Sequence, residues 1–114
     1  MKGRVSDKAR IEHILESIQI IDDAIKEISF MDFTEKPLLR LGVVKSFEII
    51  GEAARHISDE TKTKHPEINW RDMISLRNFL IHEYFDIDYE IVWNAATFLK
   101  ELKTKLEAIN LDLN

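Results

Sequence analysis

The sequence predicts an all-α protein, an antiparallel four-helix bundle with an optional additional short helix. Apolar residues recur at steps of three and four along most of the 114 residues, which is typical of amphipathic helices. The chain has only three glycines and two prolines, too few for the frequent turns of an all-β fold. Because 45% of the residues are hydrophobic and no linker or repeat interrupts them, we expect one helical domain over residues 1–114.

The first helix is predicted by a stripe of isoleucines that spans about five turns. Ser6 or Asp7 is suited to cap its N terminus. The stripe ends near residues 30–33. Its members are Ile11, Ile14, Ile18, Ile21, Ile25 and Ile28.

The second helix is predicted to start after Thr34 as N-cap, with Pro37 in its first turn, and to end near Ile57. Gly42 and Gly51 lie inside it, and each costs about 1 kcal/mol relative to alanine. We therefore expect a neighbouring helix to approach closely at both glycines. The predicted apolar face consists of Leu38, Leu41, Val44, Phe47, Ile50, Ala54 and Ile57.

A third main helix is predicted to follow Pro66, with Asn69 as N-cap and Asp72 at the capping-box position, and to end near His82. The polar residues 58–65 have room for one or two helical turns. We expect these turns to stop before Pro66, because proline disfavours the helical conformation in the residue that precedes it.

Asp88 is suited to cap a last helix that runs from Tyr89 to about Ile109. Its predicted inward face includes Ile91 and Phe98. We expect Phe98 and the other aromatic residues at helical spacing to belong to the core and not to stack on bases; these are Trp70, Tyr89 and Trp93.

The amino-acid composition argues against several classes of protein. The 16 basic and 21 acidic residues give a net charge of -5, which argues against a broad basic surface for nucleic acid. The absence of cysteine excludes disulfides and thiolate-bound metals. No apolar run approaches the ~20 residues that span a bilayer, and the basic residues 1–8 lead into no signal-type stretch. We expect a soluble cytoplasmic protein without membrane association.

Four histidines, at positions 13, 56, 65 and 82, are the natural candidates for chemistry. The His-Glu-x-x-His motif is absent, and no glutamate lies three residues before any histidine, as a di-metal bundle requires. Glu52 and His56 share a helix face, which is more typical of a surface ion pair than of a metal site. The sequence therefore predicts neither a metal site nor a cofactor.

The strongest candidate site lies near the end of the third main helix, at Arg77, Asn78, His82 and Tyr84. Arginine carries a permanent charge on a fork that matches phosphate oxygens, and histidine exchanges protons near neutral pH. Such a pair is able to cleave RNA through attack of a 2′-hydroxyl on the adjacent phosphate. The residues alone also allow a structural alternative, in which Arg77 pairs with an acid such as Glu52 or Glu83 and His82 is a hydrogen-bonded histidine between helices.

Spacing raises a geometric problem for this pair. Arg77 and His82 are five residues apart, about 140° around a straight helix. Three arrangements would bring the two side chains to one site: the helix ends by His82, the long arginine side chain reaches around the helix, or a second chain completes the site.

The pattern Arg77-x4-His82-x-Tyr84 resembles the R-x4-H-x-Y motif of HEPN-domain proteins, and its surroundings resemble the HepT-like ribonuclease toxins. The supporting segments are residues 50–55 (Ile-Gly-Glu-Ala-Ala-Arg), 66–70 (Pro-Glu-Ile-Asn-Trp) and 92–93 (Val-Trp). The resemblance covers residues from about 8 to 108.

This resemblance implies a homodimer whose motifs face a shared cleft, and a metal-independent endoribonuclease that needs no cofactor. Arg77 and His82 match the catalytic pair, Asn78 the supporting polar residue, and Tyr84 a tyrosine that is adenylylated. The implied partners are an RNA substrate and a minimal nucleotidyltransferase antitoxin, in a toxin–antitoxin pair like those of types II and VII. An alternative remains open: a non-catalytic helical module that docks a nucleotidyltransferase or a nucleotide.

Overall fold

The computed structural model describes residues 5–113, which contain seven helices and no strand. The all-α class is therefore confirmed. Residues 1–4, at the basic N terminus, and Asn114 lie outside the described part. The helices are α1 (Asp7–Ile25), α2 (Phe30–Glu35), α3 (Pro37–Arg55), α4 (Asp59–Lys64), α5 (Trp70–His82), α6 (Tyr89–Thr97) and α7 (Leu99–Asp112).

Helix α3 is the centre of the bundle, since it packs against both α1 and α5, and α1 packs on its other side against α7. The predicted isoleucine stripe forms the buried face of α1: Ile11, Ile14, Ile18 and Ile21 are fully buried. α7 runs antiparallel to α1, because the Lys8 ammonium donates to the Asn110 carbonyl at 3.2 Å, and the Lys103 ammonium donates to Gln19 at 3.0 Å.

The start of α1 is tied to the start of α4 through Asp7. Its carboxylate accepts hydrogen bonds from the Ser58 N–H at 3.0 Å and from the Ser58 and Thr61 hydroxyls, each at 2.6 Å. Ser6 caps α1, since its hydroxyl accepts from the Ala9 N–H. These contacts place the start of α1 beside the end of α3, so α1 and α3 are also antiparallel.

The predicted N-cap at Thr34 is wrong, because Thr34 lies inside the short helix α2. Ser29 caps α2 and forms a capping box with Asp32, which stabilises a helix that the apolar pattern did not reveal. Pro37 is the first residue of α3, as predicted, and Lys36 precedes it outside the helical conformation.

The predicted apolar face of α3 is correct toward its C terminus and wrong at its start. Val44, Phe47 and Ile50 are buried, but Leu38 and Leu41 are exposed. Phe33 from α2 is fully buried nearby in the core, where its ring contacts those of Tyr89 and Trp93.

Helix α5 begins and ends as predicted. The Asn69 side chain accepts from the Asp72 N–H at 3.1 Å. The Asp72 carboxylate accepts from the Asn69 side-chain amide at 2.8 Å, not from the backbone N–H of a full capping box. The helix ends at His82, and Glu83 follows as its C-cap.

The predicted last helix is two helices, because α6 and α7 are separated at Phe98. The Thr97 hydroxyl donates to the Asn94 carbonyl, and such bonds from threonine often bend helices. The prediction that Phe98 and Ile91 point inward is wrong: Phe98 is 79% exposed and Ile91 is also exposed. The cap at Asp88 is confirmed by its bond from the Glu90 N–H.

The two glycines of α3 differ in their surroundings. A Cβ on Gly51 would lie 2.1 Å from the Arg77 Cβ and 2.6 Å from the Met73 carbonyl oxygen, so α5 approaches α3 closely there, as predicted. A Cβ on Gly42 would meet nothing within 4 Å. The close approach predicted at Gly42 is therefore wrong.

This contrast gives a matched pair of substitutions. We expect Gly42→Ala to raise the free energy of unfolding by up to about 1 kcal/mol, because alanine favours helix and has room there. We expect Gly51→Ala to lower it by about 1–3 kcal/mol, because the added methyl forces α3 and α5 apart. Urea unfolding followed by circular dichroism measures both. Equal shifts for the two variants would contradict the close approach at Gly51.

Candidate functional site

The close approach at Gly51 places the next residue, Glu52, against Arg77. Nη2 of Arg77 lies 3.2 Å from Oε1 of Glu52, and only 21% of the arginine side chain is exposed. The pairing of Arg77 with Glu52, one of the alternatives open from the sequence, is therefore observed.

Glu52 is the centre of a small charged cluster on α3. Its Oε2 lies 3.0 Å from Nε2 of His56, and its Oε1 lies 3.9 Å from Nη1 of Arg55. The hydrogen bond with His56 is the largest cause that lowers the pKa of Glu52 below its ordinary value of 4.5, and the charges of Arg55 and Arg77 lower it further against the effect of burial. Glu52 is thus ionised at neutral pH and able to hold Arg77 electrostatically.

The guanidinium of Arg77 is also held by its neighbour in sequence. Nη1 donates to the Asn78 side-chain oxygen at 2.8 Å, so Asn78 orients the arginine. The buried Nε of Arg77 has no hydrogen-bond partner among the described residues. Oε1 of Glu52 also lacks a well-directed hydrogen bond, so its contact with Arg77 is an ion pair only. Arg77 is therefore fixed by Glu52 and Asn78 through its terminal nitrogens.

His82 and Tyr84 lie at the other end of the motif, where α5 ends. His82 is exposed, so the alternative that places it between helices is wrong. Tyr84 is 76% exposed and makes an edge-to-face ring contact with Phe85 at 5.4 Å.

A single chain holds Arg77 together with Asn78 and Glu52, but it does not place His82 in that cluster. Because α5 remains helical through His82, the two side chains leave the helix about 140° apart. The helix does end at His82, as the first of the three alternatives states, but His82 still belongs to its last turn, so this end alone does not bring His82 to the side of Arg77.

Arg77 also lines a surface pocket of about 260 Å³ between α1, α3 and α5. Its basic members on the other helices are Arg10, His13 and Lys45, which the sequence reasoning missed. The only signal was their spacing: Arg10 and His13 share a face of α1, and Lys45 continues the face of α3 that carries Glu52.

Residues 5–113 contain no group of three or more histidine, cysteine, aspartate or glutamate side chains placed to hold a metal ion. Nor does any of their helices have the length and apolarity needed to cross a bilayer.

Fold and site together define a helical bundle that presents an arginine–histidine motif on one helix. The family model described as "Ribonuclease HepT-like" matches residues 14–109, which include both Arg77 and His82. The chain therefore belongs to the HepT-like ribonuclease family, and the HEPN-like resemblance is confirmed.

Individual relatives agree with this assignment. "Probable ribonuclease HepT" of Thermococcus cleftensis is 38% identical over 105 residues, which cover 91% of this chain and 96% of the relative. A "Putative RNase" of Caldanaerobacter subterraneus subsp. tengcongensis is 41% identical over 92 residues, 81% of this chain and 80% of the relative. Another "Putative RNase", of Methanocaldococcus jannaschii, is 41% identical over 86 residues, 75% and 79% of the two chains. No solved structure gives a significant match.

The charged cluster predicts a pH-dependent contribution of Glu52 to stability. Because the pKa of Glu52 is lowered in the folded protein, the ionised side chain stabilises the fold above pH 4.5. This stabilisation disappears as the pH falls through the folded pKa. We expect Glu52→Gln to reduce the free energy of unfolding at neutral pH by less than about 1 kcal/mol, since the side chain is half-exposed. The difference from wild type should vanish in strong acid.

Urea unfolding over a pH series measures this difference. Glu60→Gln is the matched control, because it removes a carboxylate from an exposed pair with Lys64 on α4. A difference for Glu52→Gln that persists unchanged in strong acid would show that its charge is not responsible.

Proposed function

We propose that the chain is a metal-independent endoribonuclease and the toxin of a toxin–antitoxin pair. The observation that carries the proposal is Arg77, held by Glu52 and Asn78 at the edge of an open pocket. Membership of the HepT-like family and the ribonuclease names of the relatives support RNA as the substrate class.

In the proposed reaction the 2′-oxygen of a ribose attacks the adjacent phosphorus. The bond from phosphorus to the 5′-oxygen of the next nucleotide breaks, which leaves a cyclic phosphate and a 5′-hydroxyl. Arg77 binds the phosphate oxygens and stabilises the charge that develops on them. His82 moves the protons: a neutral histidine takes the proton of the 2′-hydroxyl, and a protonated one gives a proton to the leaving oxygen.

A homodimer would resolve the separation of Arg77 and His82 within one chain. Across a two-fold axis, Arg77 of one protomer and His82 of its partner could face one phosphate, and two histidines would supply both the base and the acid. Two apolar side chains beside the motif, Ile81 and Phe85, are exposed in the single chain. They support such an interface, because clustered exposed apolar groups mark contact surfaces.

The proposed partner is a nucleotidyltransferase antitoxin that adenylylates Tyr84. In this transfer the Tyr84 oxygen attacks the α-phosphate of ATP and releases pyrophosphate. The exposure of Tyr84 supports access by a second protein. The added group would carry negative charge and bulk to the cleft, where it would repel RNA phosphate.

The catalytic assignment predicts large losses of activity from single substitutions. We expect Arg77→Ala and His82→Ala each to reduce the rate of RNA cleavage at least about 100-fold, because one removes charge stabilisation and the other proton transfer. Cleavage of labelled RNA by the purified protein, with a chelator present, measures the rate.

Arg71→Ala is the matched control, because Arg71 is an exposed arginine at the start of the same helix. Full activity of either motif variant would refute the assignment. RNA that is bound but left intact by the wild type would instead favour the non-catalytic binding module.

The modification site gives a second test. We expect a cognate nucleotidyltransferase with ATP to add an adenylyl group to the wild type and to silence cleavage, and Tyr84→Phe to stay unmodified. Intact mass spectrometry measures the addition. Tyr89→Phe controls for the loss of a hydroxyl elsewhere, since Tyr89 packs against Phe33. Adenylylation of Tyr84→Phe would place the modification on another residue.

A further inference from the structure

The pocket beside Arg77 has a cationic lining in a chain whose net charge is -5. Three basic side chains reach it from three helices: Arg10 from α1, Lys45 from α3 and Arg77 from α5. His13 adds a fourth nitrogen-bearing side chain. Packing in the bundle thus concentrates basic groups that are far apart in sequence.

The cations at the far side of the pocket are not neutralised by the protein. Among the described residues, neither Arg10 nor Lys45 has a salt bridge or a side-chain hydrogen bond. The Nε atoms of Arg10 and Arg77 are both buried without a hydrogen-bond partner. Arg10 and Lys45 therefore keep their charges available for a ligand in this pocket.

The lining also contains two carboxylates, which limit the kinds of ligand. Glu52 already pairs with Arg77 and His56. The other charged side chains of the lining are one carboxylate, Glu48, and the basic residues Arg10 and Lys45. The remaining charge therefore favours an anion. Phosphate oxygens match the guanidinium fork of arginine.

Size restricts the ligand further. The volume of about 260 Å³ lies below the range of about 300–1,000 Å³ that is typical of pockets for whole small molecules. Ala53 is a small, buried part of its wall, and Ile49 and Ile81 are partly exposed apolar side chains beside the charges. The pocket therefore fits a phosphate group with part of its sugar better than a complete nucleotide.

We propose that this pocket binds the RNA phosphate next to the one that is cleaved, through Arg10 and Lys45. This inference rests on the proposed ribonuclease function, because Arg77 is shared between the pocket and the catalytic motif. It assigns two substrate-binding residues outside the motif. RNA then lies across α1 and α3, on a path that continues from the Arg77 side of α5.

Binding of a fully 2′-O-methylated oligoribonucleotide to the whole chain tests the pocket without cleavage, because the attacking hydroxyl is blocked. We expect Arg10→Gln and Lys45→Gln each to raise the Kd about tenfold, as for loss of a charged hydrogen bond. Each should also reduce the slope of log K against log salt by about 0.7, the value for one phosphate contact in single-stranded nucleic acid. Fluorescence anisotropy over a salt series gives both quantities.

Two variants control for charge and position. Lys100→Gln removes a positive charge from α7, away from this pocket, and should leave the Kd unchanged. Glu48→Gln removes the uncommitted carboxylate from the pocket and should lower the Kd. An equal loss of binding for Lys100→Gln, or weaker binding for Glu48→Gln, would overturn the phosphate pocket. Thermal unfolding by circular dichroism verifies that each variant is folded.

Cleavage of unmodified RNA separates this inference from the proposed function. Arg10→Gln and Lys45→Gln should raise KM about tenfold and leave kcat within about twofold, since they bind a phosphate that does not react. If the wild type cleaves RNA and both variants bind as tightly as it does, the pocket is refuted and the ribonuclease stands. If the wild type binds the methylated RNA through these residues but cleaves no RNA, the ribonuclease is refuted and the pocket stands.

Discussion

The contact between Gly51 and Arg77 is the constraint on which the rest of the site depends. With only a hydrogen on Gly51, the backbone of α3 approaches α5 at the Cβ of Arg77 itself. The following residue, Glu52, then reaches the guanidinium, and Asn78 holds it from the other side. A larger side chain at position 51 would separate the helices at the point where the arginine must be fixed. The packing of α3 against α5 therefore also determines the orientation of Arg77.

Local signals in the sequence were sufficient for much of the fold. The isoleucine stripe of α1 and the caps at Ser6, Asn69 and Asp88 follow from interactions within a few residues. The errors have a common origin in competing local bonds and distant packing. The capping box at Ser29 stabilises α2 in the segment where a cap at Thr34 was predicted. The break between α6 and α7 lies at Phe98, so this side chain is exposed and not buried as predicted.

Some residues of the candidate site could likewise be named from the sequence, and others could not. The motif named Arg77, Asn78, His82 and Tyr84 as candidates, and their roles stay predictions. The pairing of Arg77 with Glu52, one of the alternatives that the sequence left open, is observed. Arg10 and Lys45 could not be selected, because their proximity to Arg77 exists only after α1, α3 and α5 have packed. The net charge of -5 pointed away from nucleic acid, yet a total charge says nothing about a local cluster.

The bonds of Asp7 have a consequence for where the chain can be shortened. Helix α4 has six residues, too few to be stable alone, and it connects the two helices that form the Arg77 site. It is fastened by a carboxylate 51 positions earlier in the chain, at the first turn of α1. Asp7 is thus part of the structural unit that supports the Arg77 site, although Arg77 lies far later in the sequence. Removing residues up to and including Asp7 would loosen the connection between α3 and α5 without touching either helix.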